Sequence, residues 1–313
     1  MLEFAVAQAL VADGRRIVIT GAGGWIGLAT LDLLHAALGD QFGKRVRAFG
    51  SSTRVLRLSD GTQVLQRPLD DLAWLPNEPT IVLHTAFLTK DRAEAMDEAR
   101  YRAANDAIRQ KVLKALGPIG ANAIFVASSG AAAKADDPAA SRAMRLYGAM
   151  KREDEDLFAA WAQDHGATAA ITRLYALAGP HINKPQNYAI ASFMLDALAG
   201  RAIEVRAPRR VVRAYVAIRE VMSLVFAILL QGGGVTRFDT GGEALELEQV
   251  AREVAALVEG AQVQRAAITA PDADIYHGDS AAYAALLARY GITPVPLRQA
   301  LAETIDYLAG QNA

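Results

Sequence analysis

The sequence predicts an α/β fold built on a doubly wound parallel sheet, followed by a smaller, mainly helical domain. Three observations carry this. Short apolar or β-branched runs alternate with longer helical patterns through the first 175 residues, a glycine-rich run follows the first of them directly, and the rhythm changes after Gly179-Pro180. Such alternation is how βαβ units feed a parallel sheet, each strand being followed by a crossover helix.

The strands read, in order, as Arg16 to Thr20 (RIVIT), Arg45 to Phe49 (RVRAF), Gln63 to Arg67 (QVLQR), Thr80 to His84 (TIVLH), Ala123 to Ser128 (AIFVAS) and Thr168 to Leu174 (TAAITRL). Helices fill most gaps between them. The longest gap, Asp91 to Leu116, has apolar residues near helical spacing and stops at Gly117-Pro118, a common helix exit. Residues 1–178, with part of 210–240, form the expected nucleotide-binding domain, and 179–313 the expected substrate domain. The second contains the polar loop HINKPQNY, the helix-like ASFMLDALAG and the basic segment RAIEVRAPRRVVR. Its tail is read as helices separated by loops, with LELEQVAREVAALV and LRQALAETIDYLAG amphipathic at a period near 3.6.

Composition narrows the function. The chain of 313 residues is 52% hydrophobic and 21% charged, as expected of a globular protein. Its 33 basic and 34 acidic residues nearly cancel, so no overall field draws it to nucleic acid or to an anionic membrane. There is no cysteine, which removes disulfides, thiolate metal sites and thiol nucleophiles. The first residues, MLEFAVAQALVADGRR, lack a basic n-region, and no apolar run reaches membrane-spanning length uninterrupted. A cytoplasmic protein is expected. The five histidines (His35, His84, His165, His181 and His277) have no partners at metal-ligand spacing, and no metal is assigned.

The run TGAGGWIG puts Gly21, Gly24 and Gly27 at the spacing G-x-x-G-x-x-G between the first strand and the helical LATLDLLHAAL. Glycine permits the tight turn, and the missing side chains let a pyrophosphate reach the free N–H groups at the helix start. Trp25 and Ile26 lie within the same run. Placed directly after a strand, the run reads as the dinucleotide-binding loop of a Rossmann-type sheet, with a plain glycine turn as the alternative. NAD-binding domains usually carry a carboxylate at the end of the second strand, for the ribose 2'-hydroxyl. Here that stretch reads AFGSSTR. Ser51, Ser52 and Arg54 either receive a 2'-phosphate, which favours NADP with NAD as the alternative, or are ordinary polar loop residues.

Downstream, YGAMK places Tyr147 and Lys151 four residues apart in a helical stretch, on one face. A phenol ordinarily titrates near 10, and a neighbouring ammonium stabilises its phenolate and brings it toward the range useful for proton transfer. A solvated helix face would show the same spacing.

Taken together, TGAGGWIG, then VASSG at the end of the fifth strand, then YGAMK resemble the extended short-chain dehydrogenase/reductase family, which includes nucleotide-sugar epimerases and dehydratases. The resemblance implies Ser129 as the carbonyl-binding hydroxyl, with Ser128 as its alternative or as a substrate contact. It implies Tyr147 as proton donor or acceptor, and Lys151 as the residue that also holds the nicotinamide ribose. Asn105 matches a helix asparagine of the family and is read as structural, and His84 as a packed strand-end residue. RAYVAIREV resembles a segment whose arginine, here Arg213, contacts a substrate diphosphate, and Asn187 in the polar loop is a further substrate candidate. A homodimer through the helices near Asp91 to Leu116 and Pro138 to His165 is also implied.

Three departures shape the expected activity. GAAA follows Ser129 where dehydratases place an acidic pair, so 4,6-dehydration is rejected. Epimerase-reductases that use a cysteine are excluded by its absence. Ala176 stands where several epimerases have an asparagine that anchors the nucleotide. The expected function is an NAD(P)-dependent oxidoreductase that reduces a 4-keto nucleotide sugar. The alternatives are a nucleotide-sugar 4-epimerase with tightly bound NAD, and a non-catalytic dinucleotide-binding regulator, which the intact Tyr147 and Lys151 disfavour.

Overall fold

The computed structural model describes residues 1–312. By internal contacts the chain divides into one unit of residues 1–174 and 222–239, and a second of 175–221 and 240–313.

The first unit opens with α1 (Phe4–Asp13), a helix the sequence reading did not predict. There follow β1 (Arg16–Thr20), α2 (Trp25–Leu38), α3 (Phe42–Arg45), β2 (Val46–Gly50), β3 (Arg54–Arg57), β4 (Gln63–Pro68), β5 (Thr80–His84), α4 (Lys90–Ala95), α5 (Glu98–Leu116), β6 (Ala121–Ser129), α6 (Arg142–Asp164) and β7 (Thr168–Leu174). The second unit contributes β8 (Ala176–Ala178), α7 (Ala189–Leu198), β9 (Ile203–Val205) and β10 (Val211–Ala217). Then α8 (Ile218–Gln231) leads to β11 (Val235–Asp239), which belongs to the first unit. The chain ends through β12 (Ala244–Glu246), α9 (Leu247–Ala255), β13 (Val263–Arg265), β14 (Asp274–Tyr276), α10 (Ser280–Arg289) and α11 (Leu297–Asn312).

The large sheet has the order β11-β7-β6-β5-β1-β2-β4-β3. All its pairs are parallel except β3 with β4. β1 and β5 are buried at every position, which is why they read as unbroken apolar runs rather than alternating ones. One core cluster gathers Val18, Phe49, Val82, Val112, Ile124 and Phe158 from strands and helices. Strand order reverses between β1 and β5, since β2 lies beyond one and β6 beyond the other. A sheet of this kind binds its ligand at that switch point.

The helix expected over Asp91 to Leu116 is two helices, α4 and α5. The Asp97 carboxylate accepts the Arg100 N–H at 3.2 Å and starts α5 afresh, so the apolar spacing runs across a break. In the second unit, short strands interrupt the helices: β10 pairs with β8, β12 and β14. The helix foreseen from Leu245 to Val258 covers only Leu247–Ala255, because the Glu246 side chain caps it and Gln249 completes a capping box.

Candidate active site

The glycine loop is shaped by close approach. Gly21 has φ +74°, and a Cβ there would stand 2.6 Å from the Ala86 nitrogen; the Thr85 N–H, from the same loop after β5, donates to the Thr20 carbonyl at 3.1 Å. A Cβ on Gly27 would meet the Gly21 carbonyl oxygen at 2.5 Å, so the first turn of α2 sits directly on the loop. Gly24 is the N-cap of α2 and no side chain caps it, which leaves the helix start suited to an anion. Trp25 is buried and Ile26 half-buried at this start. These bare Cα atoms form a cradle that side chains would fill, and it fits a dinucleotide pyrophosphate.

The edge of that cradle is made by residues from β2, β3 and β4. Arg54 is exposed on β3, and its guanidinium lies against Gly23: an Nη would be 1.5 Å from a Cβ at that glycine. Ser51 and Ser52 are exposed in the turn after Gly50. The structure thus brings Arg54 to the glycine loop. It also adds Gln66, which the sequence reading did not single out, whose amide bonds both the Gly23 N–H and the Ser52 carbonyl.

Tyr147 and Lys151 lie one turn apart on α6, which Ser141 caps at the Met144 N–H. The Lys151 ammonium is 2.7 Å from the Ala127 carbonyl oxygen and 3.8 Å from the centre of the Phe87 ring. The Tyr147 ring packs against the same Phe87 in a T-shaped arrangement, with centroids 5.7 Å apart. Phe87 therefore bridges the pair, and only the tertiary fold shows it. Burial holds the Lys151 pKa down at about 8, against the charges of Asp154 and Glu155, which raise it. Lys151 is still charged at pH 7. Asp154 is pushed upward by its own burial, and the Arg109 guanidinium at 3.1 Å opposes the shift.

Gly148, next to Tyr147, has no room for a side chain, since a Cβ would be 2.0 Å from the Ala131 carbonyl oxygen. Ala131 belongs to the 3-10 turn after β6, and the Ser129 hydroxyl accepts its N–H at 3.2 Å. The helix bearing Tyr147 is thereby seated on the turn that begins at Ser129.

Successive strand residues point to opposite faces, so the hydroxyls of Ser128 and Ser129 diverge. The sequence offers Ser128 as a substrate contact; in the structure its hydroxyl donates to the buried Glu155 carboxylate, which Arg173 holds at 2.7 to 3.2 Å. Ser128 is a brace between β6 and α6.

His84 is buried, with its Nδ1 2.8 Å from the Thr20 hydroxyl and its ring 4.9 Å from that of Phe158. Burial, with the Lys151 charge as a second cause, drops its pKa to about 3, so it is neutral at working pH. Asn105 accepts the Leu88 N–H at 2.8 Å and tethers the loop after β5 to α5.

In the second unit, Arg213 on β10 pairs with Asp274 at 2.7 Å and lies 5.6 Å from the Tyr276 ring centre. Asn187 is exposed at the end of a short 3-10 turn. Among the described residues, no cluster is placed to hold a metal ion, and no helix is long and apolar enough to cross a membrane.

An uncapped, glycine-seated helix start at the switch point of a parallel sheet defines a dinucleotide-binding domain. Residues 17–239 match the NAD dependent epimerase/dehydratase family, and the chain belongs to that family. Solved structures similar to it include the UDP-N-acetylglucosamine 4-epimerase of Methanobrevibacter ruminantium in complex with UDP-N-acetylmuramic acid, at 16% identity and TM-score 0.73, covering 95% of this chain and 99% of that one. MoeE5 in complex with UDP-glucose and NAD is 21% identical with TM-score 0.70, over 95% and 100% of the two chains. The UDP-glucose 4-epimerase of Thermus thermophilus, in complex with NAD, is 21% identical with TM-score 0.68, over 94% and 99%. At these identities the likeness shows the fold. No curated protein matches the sequence.

Proposed function

We propose that this protein is an NAD(P)-dependent oxidoreductase that reduces the 4-keto group of a nucleotide sugar. The observation that carries the chemistry is the buried Lys151 ammonium, one turn from Tyr147 and sharing Phe87 with it. When bound, the nicotinamide supplies the hydride. Tyr147 gives its phenolic proton to the carbonyl oxygen, and Ser129 donates a hydrogen bond that orients that oxygen. Lys151 favours the phenolate left behind, since its charge is held in a low-dielectric setting where it acts strongly. Its ammonium also has donors to offer the nicotinamide ribose.

NADP is the proposed cofactor, because β2 ends in Gly50 rather than a carboxylate and Arg54 lies beside the glycine loop. For the substrate, the UDP-sugar complexes of similar structures support a nucleotide sugar, with Arg213 as a diphosphate ligand and Asn187 as a further contact. A homodimer through α5 and α6 belongs to the same reading.

A second reading, a 4-epimerase with tightly held NAD, is favoured by the UDP-sugar 4-epimerases among the similar structures. The test is to denature the purified protein, identify any dinucleotide released, and titrate empty protein with NADPH and NADH. Empty protein that prefers NADPH and consumes it with a 4-keto nucleotide sugar supports the reductase. Retained NAD moves the assignment to the epimerase, and binding of neither nucleotide removes both.

A further inference from the structure

We propose that Gln66 is a specificity-determining residue for the dinucleotide: its amide fills the volume a ribose-binding carboxylate would need and keeps that carboxylate out. The inference rests on the dinucleotide-binding reading of the glycine loop.

The end of β2 is where a carboxylate receives the ribose 2'-hydroxyl in NAD-type domains. β2 ends here at Gly50, and β4 runs beside it, with Ala48 opposite Gln66 and Gly50 opposite Pro68. A Cβ on Gly50 would lie 2.4 Å from the Gln66 Cδ and Nε2 and 2.5 Å from its Oε1. The amide is the far end of a flexible side chain, and such a group ordinarily moves aside. Gln66 is held: it is only 1% exposed, its Oε1 accepts the Gly23 N–H at 3.0 Å, and its Nε2 donates to the Ser52 carbonyl at 2.8 Å. Any side chain at position 50 has to displace the amide. Displacement leaves an N–H of the glycine loop and a carbonyl of the β2 exit without their partner, and both belong to the cradle that would hold the adenosine half.

Positions 50 and 66 therefore act as one unit. With glycine and glutamine present, position 50 offers the ribose no carboxylate, and the guanidinium of Arg54 lies against Gly23 of the glycine loop. A 2'-phosphate meets a planar cation there, while a bare 2'-hydroxyl lacks its usual charged acceptor.

The experiment measures NADH and NADPH affinity by nucleotide fluorescence in four proteins: the natural chain, Gly50→Asp, Gln66→Ala and the double variant. The expected result is non-additive. Gly50→Asp gains no NADH affinity over the natural chain, whereas the double variant, compared with Gln66→Ala, which has already lost both amide bonds, gains at least about tenfold for NADH and loses at least about tenfold for NADPH, the size of a carboxylate's hydrogen bonds and of its repulsion of a phosphate. An equal NADH gain in Gly50→Asp with and without Gln66→Ala would overturn the proposal.

If Gly50→Asp does not fold, Gly50→Ala takes its place with melting temperature as readout. A large drop in the natural background and a smaller one beside Gln66→Ala supports the coupling, and equal drops overturn it. A natural protein that prefers NADH sinks the NADP assignment alone, because the coupling is read on NADH and on melting. One that binds neither nucleotide sinks both.

Discussion

The bare Cα of Gly148 faces the carbonyl oxygen of Ala131 so closely that a Cβ would stand 2.0 Å from it. This contact fixes how far the helix carrying Tyr147 stands from the turn carrying Ser129. Gly148→Ala should push the two apart. Overpacking of this kind costs about 1 to 3 kcal/mol, and a misplacement near 1 Å can cost about 100-fold in rate. The expected result is a folded variant with a lowered melting temperature and turnover reduced by about two orders of magnitude. Unchanged turnover would show that the Tyr147 to Ser129 spacing is unimportant.

Tyr147→Phe should lower turnover by about 10²- to 10⁴-fold, the usual worth of a positioned proton donor, and leave dinucleotide affinity nearly intact. The two adjacent serines should separate cleanly. Ser129→Ala should reduce turnover strongly and lower the melting temperature only modestly, through the Ala131 N–H it leaves without its acceptor. Ser128→Ala should chiefly destabilise, because it strips a hydrogen bond from buried Glu155. Thermal melts and steady-state rates on the same preparations distinguish the pair.

With its pKa near 8, Lys151 loses its charge as pH rises through that value, and activity should fall along the same alkaline limb. Asp154 is the larger of the two carboxylate influences that raise this pKa. Asp154→Asn should therefore move the limb to lower pH. It should also lower the melting temperature, since it breaks the buried contact with Arg109 at 3.1 Å. A limb that stays in place in this variant would mean another group sets it.

His84 provides a test that does not involve catalysis. Its folded pKa is about 3 and its ordinary value 6.5, so between these the unfolded chain takes up a proton that the folded chain refuses. Its contribution is fully present above pH 6.5 and is lost as pH falls toward 3, by at most about 1.4 kcal/mol per pH unit. Urea melts at pH 4, 5, 6 and 7 should show this slope reduced in His84→Asn, even if that variant is less stable at pH 7. An identical slope would place the acid sensitivity elsewhere.

The sequence revealed those parts of the fold where burial is continuous. RIVIT and TIVLH are buried at each residue and read as strands without help from the tertiary structure. β3 and β11 were not legible: one is exposed at three of its four positions, the other has no fully buried residue, and each exists because a neighbouring strand offers it hydrogen bonds. The break before α5 was hidden because Asp97 looks like any surface acid until its carboxylate is seen on the Arg100 N–H. The site divides the same way. Local spacing displayed Tyr147, Lys151 and the glycines. Phe87, Gln66 and the Ala127 carbonyl act through tertiary placement, and a backbone carbonyl has no signature in a sequence.

The pairing of β11 with β7 also bears on how the chain is made. β7 ends at Leu174, while its outer partner runs from Val235 to Asp239, with the second unit's first stretch threaded between. On a ribosome, that interval takes roughly 3 to 13 s to synthesise. During that time β7 presents an open row of backbone donors and acceptors, able to recruit a strand from any nascent neighbour. The protein is thus most exposed to misassembly late in its synthesis, and a truncation before Val235 should yield aggregate rather than a smaller soluble domain.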